Sequence, residues 1–586
     1  MNVLFRAWRL LTPRERRRCT GLQLLGVLMA LTTVAGIAAV MPFFAVLGDP
    51  GLIERNAALA WLQSRFGIDD HQDFIVFLGC GFIALLLLGS VVNLAGSVAM
   101  SRFAWRVGDR LRLALFSQYL ARDYLFHARQ RGAVLTSRVL YQSDRVTGLM
   151  QSAQLFVSNV LVIVLIVGSI ALVDARVAAA GLLLFGVSYA LVYAAARRRL
   201  LANGFAQTQA GADRVAVVEQ ALAGIKDLLV SQGQAPFTRR FATASAAISR
   251  AASHTQFIGL APRYLLECLA GITLILAALI LGGRSSTAAW LGELTFIAVA
   301  GYRLLPAIQQ AYFSFVTVRA NQDALDEVAA DLAQATPLRV PAQVGAIRLH
   351  DCIELVDVSF AYEPATPVID SVSLRIPADH AVAFTGPNGS GKTTTADLLV
   401  GLLTPQSGHI AIDGQRLDDS NRAAWQACVA YLPQHLYILD ATVRDNIAFG
   451  VEPAAVDEAR LREAIDFAGA GEFIDKLPRG LDERLGTRGA RLSGGQRQLI
   501  GLARALYRAP SFLVLDEATS SLDDAAAQAV AAMIRRLRGH CTVVAITHHE
   551  VIAAACDRRC VFGERRVLYD DGAGRRSTRL LRGVSS

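Results

Sequence analysis

Lysine is nearly missing from this sequence of 586 residues: it stands only at 226, 392 and 476, although lysine and arginine together number 58. Almost all of the positive charge is therefore arginine, and each lysine merits separate inspection for chemistry. Charged residues of both signs make up 18% of the chain, against a usual share of about 25%. The eight cysteines (19, 80, 268, 352, 428, 541, 556 and 560) form no CxxC pair and no Cys/His ligand spacing, so neither a disulfide framework nor a zinc site is indicated. They read as reduced cytosolic or core thiols. A cleavable leader is also missing from the pattern. The N-terminal "MNVLFRAWRLLTPRERRRCT" is basic and amphipathic, and the apolar run after it has the length of a spanning helix. The opening segment is expected to lie as an interfacial helix on the cytoplasmic face.

In place of charge there is apolar length. Apolar residues make up 53% of the chain, and the mean hydropathy is +0.39. Six stretches, near 21–47, 73–100, 151–173, 177–198, 256–283 and 287–311, are long enough to cross a hydrocarbon core of about 30 Å. Arginines crowd the N-terminus (Arg6, Arg9, Arg14, Arg16, Arg17, Arg18) and the segment 102–145, whereas the loop 48–72 has four acids against Arg55 and Arg65. The positive-inside rule makes the N-terminus cytoplasmic and the first loop external. Connections 101–150 and 199–255 are then cytoplasmic, and their few breakers predict membrane helices that run on into the cytosol. The external loop "GDPGLIERNAALAWLQSRFGIDD" reads either as a short helix with Leu59, Leu62 and Phe66 on one face or as an ordered loop. Beyond Tyr312 the hydropathy falls. A membrane domain over 1–330 and a Pro-containing linker over 331–345 lead to a region, 346–586, where strands alternate with helices before a short C-terminal tail. The net charge of +9 would by itself admit nucleic acid, but much of it flanks the apolar runs, so a membrane and not a nucleic acid is the expected partner.

The second domain carries phosphate chemistry. "VAFTGPNGSGKTTT" fits G-x-x-x-x-G-K-[ST] after an apolar strand and at the start of a helix. Gly386 and Gly391, with Asn388, Gly389 and Ser390 between them, let backbone N–H groups wrap phosphates. Lys392 reaches the β and γ oxygens, Thr393 ligates Mg2+, and Thr394 is a further candidate cofactor-binding residue. "FLVLDEATSSLDD" is an apolar strand ending in Asp516, a metal-side carboxylate, and Glu517, placed to polarise an attacking water. Between these elements, "RLSGGQRQLIGLARAL" sets Ser493, Gly494, Gly495 and Gln496 as a turn at a helix start, suited to gripping a phosphate.

LSGGQ, Leu492 to Gln496, resembles the signature of ATP-binding cassette (ABC) proteins, and the likeness extends through the cassette. It implies that Tyr362 stacks on adenine, that Gln434 in "YLPQ" contacts Mg2+, that Asp523 in "SSLDD" lies in the loop across a dimer interface, and that His548 in "AITHH" meets the γ-phosphate. One element departs: in "ERLGTRGARLSGG", Thr487 stands where exporters of this family usually carry Glu. The family sandwiches each ATP between the phosphate loop of one cassette and the signature of another. The resemblance therefore implies a homodimer of half-transporters, an α-helical exporter-type membrane domain of six helices fused to an α/β P-loop cassette in each copy. It also places coupling helices at the tips of the cytoplasmic loops, near Tyr124–Gln130 and Leu228–Phe237.

Cargo must be read from the membrane half. "LAPRYLLECLAG" puts Arg263 about 20 residues before the external end of its segment, and "GYRLLPAI" puts Arg303 about 16 residues after the external start of the next. At 1.5 Å per residue both lie roughly 24–30 Å below the outer face. Two readings stand. The arginines snorkel to inner headgroups, Arg263 pairing with Glu267 one turn on, or they line a cavity as an anion-binding ring. "MPFFAVLGDP", "APRYLLE" and "YRLLPAI" resemble the bacterial lipid-linked oligosaccharide flippases of protein N-glycosylation, in which cavity arginines engage a polyprenyl pyrophosphate. Where those proteins carry a further arginine, this chain has Gly89. The resemblance implies an ATP-driven flippase in the bacterial inner (plasma) membrane that moves an anionic lipid-linked glycan to the outer leaflet. Export of a peptide, a drug or a lipid A-like molecule is the alternative.

Overall fold

The computed structural model describes residues 2–39, 43, 46, 53, 56–68, 70–173, 175–281, 287–334, 347–486, 489–517, 524–563 and 565–570. The chain divides into two compact units. One comprises 1–122 and 130–338, the other 123–129 and 339–586.

The first unit is helical. α1 (Asn2–Arg9) turns into α2 (Pro13–Ala38); α3 (Ala57–Phe66) precedes α4 (His71–Ala121). The open reading of the first loop resolves as helix. Asn56 accepts from the Ala58 N–H at the start of α3, and Gly67, at φ +62°, ends it in the left-handed conformation that glycine takes most cheaply. Val3, Ala7 and Leu11 of the N-terminal segment are buried, Phe5 is exposed, and Arg6 pairs with Asp326.

The long connections are helical, as their lack of breakers predicts. α5 (Tyr124–Arg129) forms the first loop tip and belongs to the second unit. α6 (Gly132–Ser137) passes through a π-turn, Arg138–Gln142, into α7 (Ser143–Val173), followed by α8 (Ala175–Ala223). The second tip differs from expectation. Its short helix is α9 (Ile225–Val230), and by Gln234 the next long helix, α10 (Gln234–Leu281), has begun. The turn between them ends in Gly233, with Gln232 at φ +53°. α11 (Thr287–Ala320) and α12 (Gln322–Ala333) close the unit.

Pro262 lies inside α10 and Pro306 inside α11. Each removes one N–H from the helix ladder close to one of the two sequence-flagged arginines. Among the described residues, Pro13–Gly36, Gln72–Ala121 and Gly132–Leu172 contain stretches long and apolar enough to cross a membrane. Two half-buried arginines link α7 and the π-turn before it to α8, α11 and α12. Arg145 donates to Asn321 Oδ1 (2.9 Å), Thr208 Oγ1 (2.6 Å) and the Ala320 carbonyl (2.9 Å), while Arg138 holds Asp331 at 3.1 Å. Neutral acceptors and a carboxylate offset part of the cost of drawing these guanidinium groups out of water.

The second unit has two sheets. β1 (Cys352–Glu363), β2 (Thr366–Pro377), β4 (Ser407–Ile412) and β5 (Gln415–Arg416) form an antiparallel sheet in the order β2-β1-β4-β5. β3 (Ala381–Thr385), β6 (Val429–Leu432), β7 (Phe512–Asp516), β8 (Thr542–Ile546), β9 (Arg558–Gly563) and β10 (Arg566–Asp570) form the other, in the order β10-β9-β3-β8-β7-β6. β3, β6, β7, β8 and β9 are linked by parallel pairings, and β10 is antiparallel to β9. Every residue of β7 and β8 is buried, as expected of central parallel strands covered on both faces. α13 (Lys392–Leu399) follows β3, and α14 (Gly494–Tyr507) starts at the signature turn.

Candidate functional site

Ligands of open parallel sheets bind outside the carboxyl ends of the strands, and here four neighbouring strands end on chemically equipped residues. β3 runs into the phosphate loop and Lys392; β8 ends beside His548; β7 ends at Asp516 and Glu517; β6 ends two residues before Gln434. Residues as far apart in sequence as Lys392 and His548 thus meet along one edge.

The phosphate loop is shaped by glycine. Gly386 has φ +135°, and a Cβ there would stand 2.2 Å from the Phe562 carbonyl oxygen, so only glycine fits beside β9. Gly391, at φ +95°, begins α13. The Lys392 ammonium, largely buried, donates to the carbonyls of Gly386 and Pro387, both at 2.9 Å. Burial lowers its pKa, and the charges of Glu517 and Asp516 act in the opposite direction. Ser390 Oγ is buried without a hydrogen-bond partner among the described residues. A concave backbone with a buried ammonium and an orphan hydroxyl fits a polyphosphate.

Asp516 is held at both oxygens: Thr393 Oγ1 donates to Oδ1 at 3.3 Å and the Tyr431 hydroxyl to Oδ2 at 2.9 Å. Hydroxyl and carboxylate oxygens are the donors that a small hard cation such as Mg2+ takes beside phosphate oxygens, so this pair fits that ion. Glu517 is gripped in the same way. Gln434 Nε2 donates to Oε2 at 2.6 Å, and His548 Nε2 lies 3.4 Å from Oε1. Glu517 sits at φ +43°, a left-handed conformation that a β-carbon makes costly, while its N–H donates to the Ile546 carbonyl at 3.0 Å. The strand ladder therefore overrides the local preference of the residue.

Tyr362 is half-buried, its hydroxyl 3.4 Å from Thr394 Oγ1. Arg129 of α5 donates to its carbonyl at 2.5 Å. Asn388 and Gly389 are exposed at the loop tip. Ser493 and Gln496 close a reciprocal capping box at the start of α14, which leaves the N–H groups of Gly494 and Gly495 at a helix N-terminus. Among the described residues this turn hydrogen-bonds to itself and not to the phosphate loop. Asp523 and Thr487 lie outside the described residues.

Tyr431 and Asp397 escaped the sequence reading. Asp397, on α13, is buried, and burial followed by the charge of Asp516 pushes its pKa up to about 7. Between the unfolded value near 3.8 and the folded value near 7 the native state holds the extra proton. Its stabilising contribution is complete below the lower value and is lost as pH rises through the upper one. Asp397→Asn should therefore melt closer to wild type at pH 5 and gain at least about 2 °C over it at pH 8. Differential scanning of the cassette transition at the two pH values checks this, and a lower midpoint for the variant at both would contradict it.

In the first unit, Arg263 donates through Nε to Glu267 Oε1 at 2.8 Å, and Gln309 of α11 donates to the same oxygen at 3.4 Å. The pairing with Glu267 one turn on is present. Half of the Arg263 side chain is exposed, and among the described residues its two terminal amino groups have no acceptor. The side chain of Arg303 lies outside the described residues. Gly89 faces α2, where a Cβ would meet the Thr32 carbonyl oxygen at 3.5 Å, an ordinary van der Waals contact.

Comparison with known proteins agrees with this layout. Residues 22–282 match the family model of the ABC transporter transmembrane region, and residues 369–520 match the family model of the ABC transporter. An ATP-dependent lipid A-core flippase of Polaromonas sp. is 30% identical over 83% of each chain, and one from Burkholderia orbicola is 25% identical over 97% of this chain and 93% of its own. The structure of a bacterial Atm1-family ABC exporter with ATP bound superposes with a TM-score of 0.76 at 21% identity, covering 94% of both chains. The chain thus belongs to the ABC transporters, as an exporter-type half-transporter: a multi-pass membrane protein that binds ATP and couples its hydrolysis to transport.

Proposed function

We propose that the chain works as a homodimer in the bacterial inner membrane, with its N-terminus and cassettes cytoplasmic, and flips an anionic glycolipid to the outer leaflet. Each ATP is bound by the phosphate loop of one copy and the signature turn, Ser493 to Gln496, of the other. Tyr362 carries the adenine and Asp523 lies across the interface. Gly386 to Thr394 take the phosphates, with Lys392 as their main cation. Thr393, Asp516 and Gln434 hold Mg2+, which when bound neutralises phosphate charge during transfer. Glu517 orients and deprotonates the attacking water, and His548, 3.4 Å away, faces the terminal phosphate. Thr487 replaces the usual acid in the contact to the partner's cytoplasmic loop.

For the cargo we favour a polyprenyl-pyrophosphate-linked oligosaccharide. One observation carries this: Glu267 binds Arg263 only at Nε, which fixes the guanidinium plane and leaves both terminal amino groups for a phosphate to accept from. Pairing and anion binding are therefore compatible, and the carboxylate orients the cation. Arg303 supplies the second cation of each copy. A lipid A-like glycolipid, also anionic, is the second reading, favoured by the lipid A-core flippases among the relatives.

Reconstitution into proteoliposomes with either lipid distinguishes the two. Arg263→Ala and Arg303→Ala should each slow flipping of the oligosaccharide lipid about tenfold, equivalent to ~1.4 kcal/mol. Glu267→Gln, which keeps an acceptor for Nε, should stay within about twofold. Unchanged flipping in both arginine variants would remove the anion site, and flipping of the lipid A-core glycolipid alone would favour the second reading.

A further inference from the structure

β6 ends in a short segment, "YLPQ", that reaches both carboxylates at the end of β7. Gln434 donates to Glu517 at 2.6 Å, and three residues earlier the Tyr431 hydroxyl donates to Asp516 Oδ2 at 2.9 Å. The other oxygen, Oδ1, faces Thr393 at 3.3 Å. A carboxylate on a buried strand end can turn about its last bond. With one oxygen tied to a phenol, the second is left in a single direction, toward the hydroxyl that begins α13.

Tyr431 itself is well placed to act as a fixed post. Its ring packs against the buried cluster that contains Phe384, Trp425, Phe512 and Val514. β6 pairs with β7 in register, Tyr431 opposite Val514 and Leu432 opposite Leu515, so the strand carrying the phenol cannot slide without breaking that ladder. Facing a carboxylate oxygen at 2.9 Å, the phenol is the donor of the pair.

We propose that Tyr431 is a positioning residue for the metal: its bond to Oδ2 aims Oδ1 of Asp516 at the Mg2+ that accompanies ATP. Because Gln434 is on the same strand end, a displacement of this short segment would release the aim of Asp516 and the grip on Glu517 together. Metal binding and water activation then become sensitive to one structural element. The proposal rests on the assignment of Asp516 as a metal-side ligand.

Mn2+ serves as the probe, with its affinity read by electron paramagnetic resonance on the full-length protein in detergent, with ATP, in a Glu517→Gln background. Three forms are compared: that background alone, with Tyr431→Phe, and with Asp516→Asn. ATP binding in EDTA, measured on each, reports intact folding of the nucleotide site. The expected result is Mn2+ binding weakened about tenfold by Tyr431→Phe and more by Asp516→Asn, with metal-free ATP affinity within about twofold throughout. Unchanged or tighter Mn2+ binding in Tyr431→Phe, with loss in Asp516→Asn, overturns the positioning role. So does a parallel loss of metal-free ATP binding in Tyr431→Phe, which would mark the phenol as a packing element. Unchanged Mn2+ binding in Asp516→Asn would overturn the ligand assignment and the proposal with it.

Discussion

Glu517→Gln should lower ATP turnover by at least about 100-fold while nucleotide binding persists, the magnitude expected when a positioned general base is removed. The substitution keeps the shape of the side chain but exchanges a carboxylate oxygen for an amide nitrogen. Gln434 Nε2, now 2.6 Å from Oε2, needs an acceptor, so the new amide turns its oxygen toward Gln434 and its nitrogen toward His548. The backbone at φ +43° does not change, since the N–H bond to Ile546 is a main-chain contact. Hydrolysis assays on the purified transporter, beside binding of labelled ATP, measure both quantities. Residual turnover above about a tenth of wild type would assign the base elsewhere, and loss of binding would make Glu517 part of the nucleotide cradle.

Lys392→Ala should weaken ATP binding by about 100-fold or more. Hydrogen bonds to charged partners contribute roughly 1.5–3 kcal/mol each, and in the proposed role the ammonium would reach more than one phosphate oxygen. Its two carbonyl contacts, at 2.9 Å to Gly386 and Pro387, are the bonds that phosphate oxygens would take over. Deleting the side chain removes the only lysine within the phosphate loop and leaves those carbonyls and the Ser390 hydroxyl facing a polyanion without a cation. Equilibrium binding of ATP with and without Mg2+ tests this. A loss confined to the Mg2+ form would shift the role of Lys392 to the metal site.

The sequence by itself determined the elements whose chemistry is local. The phosphate loop is given by the spacing G-x-x-x-x-G-K-[ST], with glycine at 386 and 391 and its lysine one residue past Gly391. The Ser493–Gln496 box is closed by residues three apart, and the long cytoplasmic helices come from runs without breakers. The second loop tip was displaced because Gly233 and the left-handed Gln232 mark the end of a short helix, a boundary that hydropathy does not register.

Tertiary structure alone decided which distant groups touch. The order β3-β8-β7-β6 brings Lys392, His548, the two carboxylates and Gln434 to one edge. It also aims the Tyr431 hydroxyl at Asp516, across 85 positions of sequence. Nothing in "YLPQ" announces that bond, because it depends on strand order and register, which linear spacing does not encode. The same holds for Asp397: an aspartate on a helix reads as a polar face until the sheet behind it excludes water and lifts its pKa to about 7. For Arg263 the sequence offered a pair one turn away or an anion. The fold shows the pair made through Nε alone, because helical spacing of four residues lets Glu267 reach that atom while the terminal amino groups find no acceptor among the described residues.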